Sequence, residues 1–283
     1  RTRTALPLVL PLALWQPPRP APGQFELLAA DVGQGSAVLV RTARHTLLYD
    51  AGPRYSLESD AGHRVLVPLL RALGERVDTV VLSHRDSDHT GGARAVLAAQ
   101  PQAAVRSSIE DGHELRAQRL ATRCQAGQQW QWDGVAFELL HPEAADYARG
   151  LKSNALSCVL RVRAAGGASA LLAGDIEQAQ EQALAARTPE LRADLLLAPH
   201  HGSRGSSSSA LLAAVRPRWV LVQAGYRNRF GHPAPEALAR YAAVGAEPVA
   251  SPRCGAMRWH SQQPGALHCQ RDTAARYWHH RAP

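Results

Sequence analysis

Four side chains able to bind a metal ion, His84, Asp86, Asp88 and His89, fall within six consecutive positions of the stretch Ser83-His84-Arg85-Asp86-Ser87-Asp88-His89. Two imidazoles and two carboxylates at this spacing offer nitrogen and hard oxygen donors together. A solvated turn with a helix N-cap at Asp88 or Thr90 would have no use for both imidazoles. The residues before the cluster, Val77–Leu82, form a short apolar, β-branched run that reads as a buried strand. After it, Thr90-Gly91-Gly92 opens a helical pattern over Ala93–Ala99. A loop leaving the carboxyl end of a buried strand is held still. Alternation along it can aim His84 and Asp86 at one ion and Asp88 and His89 at a second.

Further chemistry-bearing residues stand at other strand ends. Ala170–Ala173 reads as a strand ending at Gly174-Asp175, followed by an acidic, Gln-rich helix from Ile176 to about Ala186. Asp194–Ala198 ends at Pro199-His200-His201-Gly202-Ser203, and Trp219–Gln223 precedes Gly231-His232-Pro233. Strands are also expected over Phe25–Ala30, Ala37–Arg41, Thr46–Asp50, Val135–Leu140 and Leu156–Val162, and helices over Val65–Leu73 and Ala210–Val215. The first two strands flank the turn Asp31-Val-Gly-Gln-Gly35. The third ends Tyr49-Asp50-Ala-Gly52, an ordinary strand-end turn on its face. Ala104–Trp132 gives no clear pattern, and His141, with no second ligand beside it, reads as structural or exposed. Strand-then-helix units that collect candidate ligands at strand ends are how open α/β layers build a site along one edge.

At 283 residues the chain suits one large α/β domain or two small ones, with 45% hydrophobic residues and a formal charge of +8. That charge favours polyanionic partners, although it is carried almost wholly by Arg, Lys152 being the single lysine. Cys124, Cys158, Cys254 and Cys269 form no CxxC pair; their number permits two disulfides, and Cys254 and Cys269, flanking a terminal hairpin, make the favoured pair. The apolar run Ala5–Trp15, broken by Pro7 and Pro11, is shorter than the roughly 20 residues a membrane span needs. Pro17–Pro22 reads as a stiff linker. The expected division is residues 1–22 as the end of a membrane segment plus linker, 23–270 as the folded domain and 271–283 as a tail.

The pattern His84-x-Asp86-x-Asp88-His89 after a strand resembles the His-x-His-x-Asp-His motif of the metallo-β-lactamase fold. With Asp31-Val-Gly-Gln-Gly35, Gly174-Asp175, Pro199-His-His-Gly-Ser203 and Gly231-His-Pro233 it is similar to one branch, the C-terminal domain of the DNA-internalisation competence protein ComEC. The resemblance spans roughly residues 25–251. It implies a four-layer α-β-β-α sandwich, two divalent metal ions and no small-molecule cofactor. Asp175 would be the bridging carboxylate and His232 the last ligand of the second ion, beside Asp88 and His89, with Asp50 supporting the loop from behind. One of His200 and His201 would protonate a leaving alkoxide, completing a catalytic set with Asp88.

One departure from that family bears on the metal. Where the family carries a further His ligand, this chain has Lys152-Ser-Asn154-Ala-Leu-Ser157. An oxygen-rich first site of His84, Asp86, Asp175 and Asn154 favours Mn²⁺ over Zn²⁺, which it could also hold. Ser203, Arg204, Ser206 and Ser207, ahead of the Ala210–Val215 helix, offer a phosphate site or else a flexible Ser-rich loop. The resemblance then implies a DNA nuclease at the outer (periplasmic) face of the plasma membrane. It would degrade the non-transported strand in natural transformation, with DNA and the membrane channel of the same longer protein as partners. A hydrolase of small esters, thioesters or lactams and a silent DNA-binding module are the competing expectations.

Overall fold

The computed structural model describes residues 18–276, so the apolar run Ala5–Trp15 and the end of the expected tail lie outside the described residues. Alternation along each strand divides the chain into layers. In β1 (Glu26–Ala29), Leu27 and Ala29 face one way and Leu28 the other. The same alternation sends Val38 and Val40 of β2 (Val38–Arg41) and Leu47 and Tyr49 of β3 (Thr46–Tyr49) inward, with Leu39 and Leu48 outward. The short strands β4 (Arg54–Ser56) and β5 (Ser59–Asp60) form a hairpin of their own. β6 (Thr79–Leu82), β7 (Ala104–Ser107) and β8 (Ala121–Arg123) continue the first sheet in parallel with β3.

The second sheet takes β9 (Gln129–Trp132), β10 (Val135–His141), β11 (Val159–Arg163) and β12 (Ser169–Leu172) as an antiparallel run. Three parallel strands follow, β13 (Leu195–Leu197), β14 (Trp219–Val222) and β15 (Glu247–Ala250). The closing hairpin, β16 (Met257–His260) and β17 (Leu267–Cys269), returns to the free side of β1. The orders are β17-β16-β1-β2-β3-β6-β7-β8 and β15-β14-β13-β12-β11-β10-β9. Inward residues of the two sheets, among them Leu27, Tyr49, Phe137, Leu160, Leu172 and Trp259, share one core. Outward residues of the first sheet pack on the helices Val67–Leu73 and Ala93–Ala99, and those of the second on Gln178–Arg187, Ser209–Val215 and Pro235–Ala243. This is the four-layer αββα sandwich. The central strands of each sheet are buried on both faces, so they read as nearly continuous apolar runs.

The favoured pair Cys254–Cys269 forms a disulfide, and so does the second pair the cysteine count permits, Cys124–Cys158, which joins the segment after β8 to the one before β11. The expected linker and tail both dock at their inner ends. Arg19 donates to the Thr42 and His45 carbonyls and pairs with Glu75 at 2.9 Å. The helix Gln270–Thr273 runs across position 270, and Arg271 pairs with Asp31 at 3.0 Å, so packed structure continues past that boundary. Among the described residues no helix is long and apolar enough to cross a membrane.

Candidate metal centre

The carboxyl ends of the parallel strands of both sheets meet at one edge. β3 delivers Asp50 and β6 delivers Ser83 and His84. Asp86 occupies the N-cap position of the helical turn Ser87–Thr90, in place of the Asp88 or Thr90 that a simple capped turn would use, and its side chain makes no capping hydrogen bond. The carboxylate lies instead 3.6 Å from His84 Nε2. The turn can close this tightly because Gly35 backs onto it: a Cβ there would stand 2.2 Å from the Asp88 carbonyl, at a φ of +143°. Ser36 N–H donates to that same carbonyl. Across the edge, β12 leads through Ala173 and Gly174 to Asp175, whose N–H donates to Ser157 Oγ, and β13 leads into Pro199–Gly202. His200 and His201 there both adopt left-handed backbone, φ 48° and 55°, and Asp50 does so at 59°. Such conformations cost on the order of 1–3 kcal/mol each in non-glycine residues and gather at functional sites.

Hydrogen bonds on the far side of three imidazoles decide which nitrogen each offers to the centre. His89 Nδ1 donates to Asp50 Oδ2 at 2.7 Å, and His201 Nδ1 donates to the Gln223 carbonyl at 2.8 Å. His84 Nδ1 lies 2.9 Å from Ser83 Oγ, which itself donates to Asp50 Oδ2. Asp50 thus orients two rings, one directly and one through Ser83, and in each neutral ring the lone pair is left on Nε2. The three Nε2 atoms converge on carboxylates. His89 Nε2 is 3.1 Å from Asp175 Oδ1 and 3.8 Å from Asp88 Oδ2. His201 Nε2 is 3.2 Å from Asp88 Oδ2 and 3.7 Å from Asp175 Oδ2, and His84 Nε2 is 4.0 Å from Asp175 Oδ2. Donors about 2.0–2.2 Å from a common tetrahedral ion stand about 3.4 Å apart, which is the scale of these separations.

The residues present fit a metal. Donor atoms of Asp88, His89, Asp175 and His201 all lie within 4.8 Å of one another. His84 Nε2, His89 Nε2 and Asp175 Oδ1 are buried without a hydrogen-bond partner, a costly state unless a cation satisfies them. Electrostatics agree. Burial raises the Asp88 carboxyl, but the hydrogen bond with His201 and the charges of His89 and His201 outweigh it and hold the group at about 2. Burial likewise opposes ionisation of Asp175, and His89 and His201 overcome it, holding the group well below the usual carboxylate range. Burial lowers His89, yet Asp175 and Asp50 drive it well above an ordinary imidazole. His84 lowers Asp86 through its hydrogen bond.

The structure brings some of the expected site residues together and leaves others apart. His201, one of the two histidines between which the proton donor was left open, sits inside the cluster of Asp88, His89 and Asp175. His232, expected as the last ligand, lies beside it, its ring 6.3 Å from that of His201 and 5.6 Å from that of His200. Burial, then repulsion from His201 and His200, depresses His232 to about 4, so it is neutral at neutral pH. Asn154 opens a short helical turn over Asn154–Leu156, and among the described residues no hydrogen bond ties its side chain to the cluster. Ser157 faces the site in its place, with Oγ 3.4 Å from His84 Nδ1. The phosphate cradle does not form: Ser206 Oγ donates to the Pro199 carbonyl, Ser207 Oγ bonds Tyr241, and Ser203 Oγ donates to Ser206. The Glu181 carboxylate already takes the N–H groups of Ser207 and Ser208 at the helix start. Arg204 is exposed but paired with Glu236 at 2.9 Å. His141 is buried, its Nε2 donating to the Ala155 carbonyl.

Ser83, Ser157, Gln223 and Glu177 are the residues that sequence reasoning passed over. Glu177 Oε1 lies 3.3 Å from His200 Nδ1, while His200 Nε2 stands 3.8 Å from Asp175 Oδ2. The only signal for Glu177 was its place two residues after Asp175, on the same strand exit.

The geometry agrees with what comparison with known proteins finds. The chain is 38% identical over 231 residues to the competence protein ComA of Neisseria gonorrhoeae, covering 81% of this chain and 31% of that protein. It is 34% identical over 243 residues to the uncharacterized protein YcaI of Escherichia coli (86% and 30%), and 36% identical over 203 residues to recombination protein 2 of Haemophilus influenzae (72% and 24%). The chain therefore spans about a quarter to a third of the length of these relatives. Among solved structures, the metallo-β-lactamase-fold protein YhfI of Bacillus subtilis superposes with a TM-score of 0.53 at 16% identity, over 83% of this chain and 99% of that one, a likeness of fold alone. The profile of the metallo-β-lactamase superfamily matches residues 30–224. With its strand-end ligands, paired sheets and kinship to competence proteins of the ComEC type, the chain belongs to the metallo-β-lactamase superfamily.

Proposed function

We propose that this domain is a two-metal phosphodiesterase that cuts DNA during uptake, at the outer face of the plasma membrane and beneath the channel portion of a longer protein. The observation that carries the reading is the convergence of three Nε2 lone pairs and three carboxylates, those of Asp86, Asp88 and Asp175, at one buried edge. His84, Asp86 and Asp175 would hold one ion; Asp88, His89, His201 and Asp175 would hold the second. Three carboxylates among these six ligands favour Mn²⁺ over Zn²⁺, with no part for Asn154. A competence protein and a recombination protein among the relatives support DNA as the substrate, as does the net charge of +8.

Divalent ions held by these residues would supply an activated water and charge neutralisation at a phosphoryl group. The remaining steps belong to the chain. Asp50 and Ser83 keep the imidazoles in the tautomers that bind cations. His200, about a quarter exposed and with Nδ1 3.3 Å from Glu177 Oε1, would protonate the departing 3′ oxygen. His232, neutral and packed beside both neighbouring imidazoles, limits how far either ring can turn. Degradation of the non-transported strand is the role this chemistry would serve.

The reading is tested by cleavage of a labelled oligonucleotide after chelation and return of Mn²⁺. Asp86→Ala and Asp88→Ala should each lose cleavage while their metal-free thermal unfolding stays close to the parent's, because neither side chain belongs to the apolar core. Cleavage at near-parental rate by both variants would sink it.

A further inference from the structure

Between β14 and the helix Pro235–Ala243 runs the segment Gly225-Tyr226-Arg227-Asn228-Arg229-Phe230-Gly231, to which the metal centre assigns no part. Its framework is fixed from within. Asn228 Nδ2 donates to the Gly225 and His232 carbonyls at 3.0 and 2.6 Å, and Asn228 Oδ1 accepts from the N–H groups of Phe230 and His232. Gly225 N–H donates to Gln34 of the loop that backs onto Asp88, which ties the segment to the site. With the polar middle residue turned inward, the outer four present two aromatic rings and two guanidinium groups. Tyr226 and Phe230 are 45% and 54% exposed, large apolar area for so short a segment. Arg227 lies over the Tyr226 ring at 5.2 Å and Arg229 over the Phe230 ring at 4.8 Å. The Phe230 ring in turn stacks on His232 at 5.6 Å, and so adjoins the catalytic edge.

From this geometry we infer that the segment Gly225–Gly231 is a nucleobase platform, which holds single-stranded nucleic acid by stacking while the adjacent centre receives its phosphate. An exposed ring or guanidinium plane stacks on any base, and the positive charge suits the backbone beside it. Bases within a duplex are already stacked on each other and cannot reach such a surface, so the platform selects unpaired strands. The inference rests on the phosphodiesterase reading of the neighbouring centre for its purpose, though its binding behaviour is measurable without cleavage.

The test is fluorescence anisotropy in the presence of chelator, with a short single-stranded oligonucleotide and an abasic strand of equal length and charge. The parent should bind the base-bearing strand more tightly, by roughly 5- to 150-fold per stacked base. Tyr226→Ala/Phe230→Ala should lose that preference and keep the weaker affinity for the abasic strand. Phe230→Trp should retain the preference, and Leu120→Ala, at a fully exposed leucine on the β8 side, should not alter it. Equal affinity of the parent for both strands, or an unchanged preference in the double variant, overturns the platform. Circular dichroism matching the parent confirms that the variants fold, as half-exposed rings allow. Cleavage of the same oligonucleotide with Mn²⁺ is read separately: its absence in the parent beside an intact base preference counts against the phosphodiesterase and in favour of the platform.

Discussion

His200 and His201 are adjacent in sequence and divided in task. The Gln223 carbonyl fixes His201 so that its Nε2 faces Asp88 and Asp175, whereas His200 reaches outward to Glu177. His201→Ala should therefore weaken metal binding by at least about 10–100-fold, the scale for disturbing a ligand's surroundings. His200→Ala should keep metal affinity and lower kcat by about 10²–10⁴, the range for losing a general acid. Calorimetric metal titration beside single-turnover cleavage separates the two, and a His200 variant that loses metal as His201 does would reverse the assignment. The candidate ligands of the loop could be picked out in the sequence because type and spacing single out His84, Asp86, Asp88 and His89. The division of labour between neighbouring imidazoles could not, because it is set by backbone at positive φ and by a carbonyl 22 residues away in sequence. Ser206 and Ser207 show the converse error: a hydroxyl-rich segment looks like a phosphate site until the buried Glu181 is seen to fill it.

Among the elements, the turn between β9 and β10 holds the two sheets together at the edge opposite the site. Asp133 accepts hydrogen bonds from Thr42 Oγ1, Arg44 N–H and Arg44 Nε and lies 3.1 Å from His45 Nδ1, all on the β2–β3 turn. Burial works against its ionisation, but the bonds from Thr42, Arg44 and His45 outweigh that and hold the carboxyl below its ordinary value. The stability it contributes is thus present above the unfolded carboxylate value of about 4 and is lost as pH falls through the folded one. Asp133→Asn should cost about 1–3 kcal/mol at neutral pH. In urea unfolding at a series of pH values, the gap between parent and variant should narrow on acidification; a gap that widens would show that the carboxylate does not clamp the sheets. The buried strands of both sheets were legible, since burial on two faces writes continuous apolar runs. The stretch Ala104–Trp132 was not, because β8 and β9 are short sheet edges: β8 is three residues with none fully buried, and the Gln-Trp-Gln-Trp alternation of β9 spans only four residues. The helix Pro235–Ala243 and β15 also went unread, the strand being short and carrying Pro248.

Across the whole molecule, each sheet contributes one half of the centre: the first supplies Asp50, His84, Asp86, Asp88 and His89, the second Asp175, His200 and His201. Neither half has a full ligand set alone, so packing of the shared core and assembly of the site are one event. The Cys124–Cys158 disulfide and the Asp133 clamp tie the same two sheets. The motif order along the chain pointed to this sandwich because each ligand follows a strand, while the exposed aromatic and arginine segment beside His232 became visible only once its burial was known. The central claim, that Asp175 would serve both cations of a two-metal centre able to cut phosphodiesters, is tested most directly by titrating chelated protein with Mn²⁺ and following oligonucleotide cleavage against metal bound per chain. The account predicts that cleavage stays low through the first equivalent and rises to a plateau at the second, with Asp175→Asn inactive throughout. Full activity at one equivalent, or cleavage by the chelated protein, would contradict it.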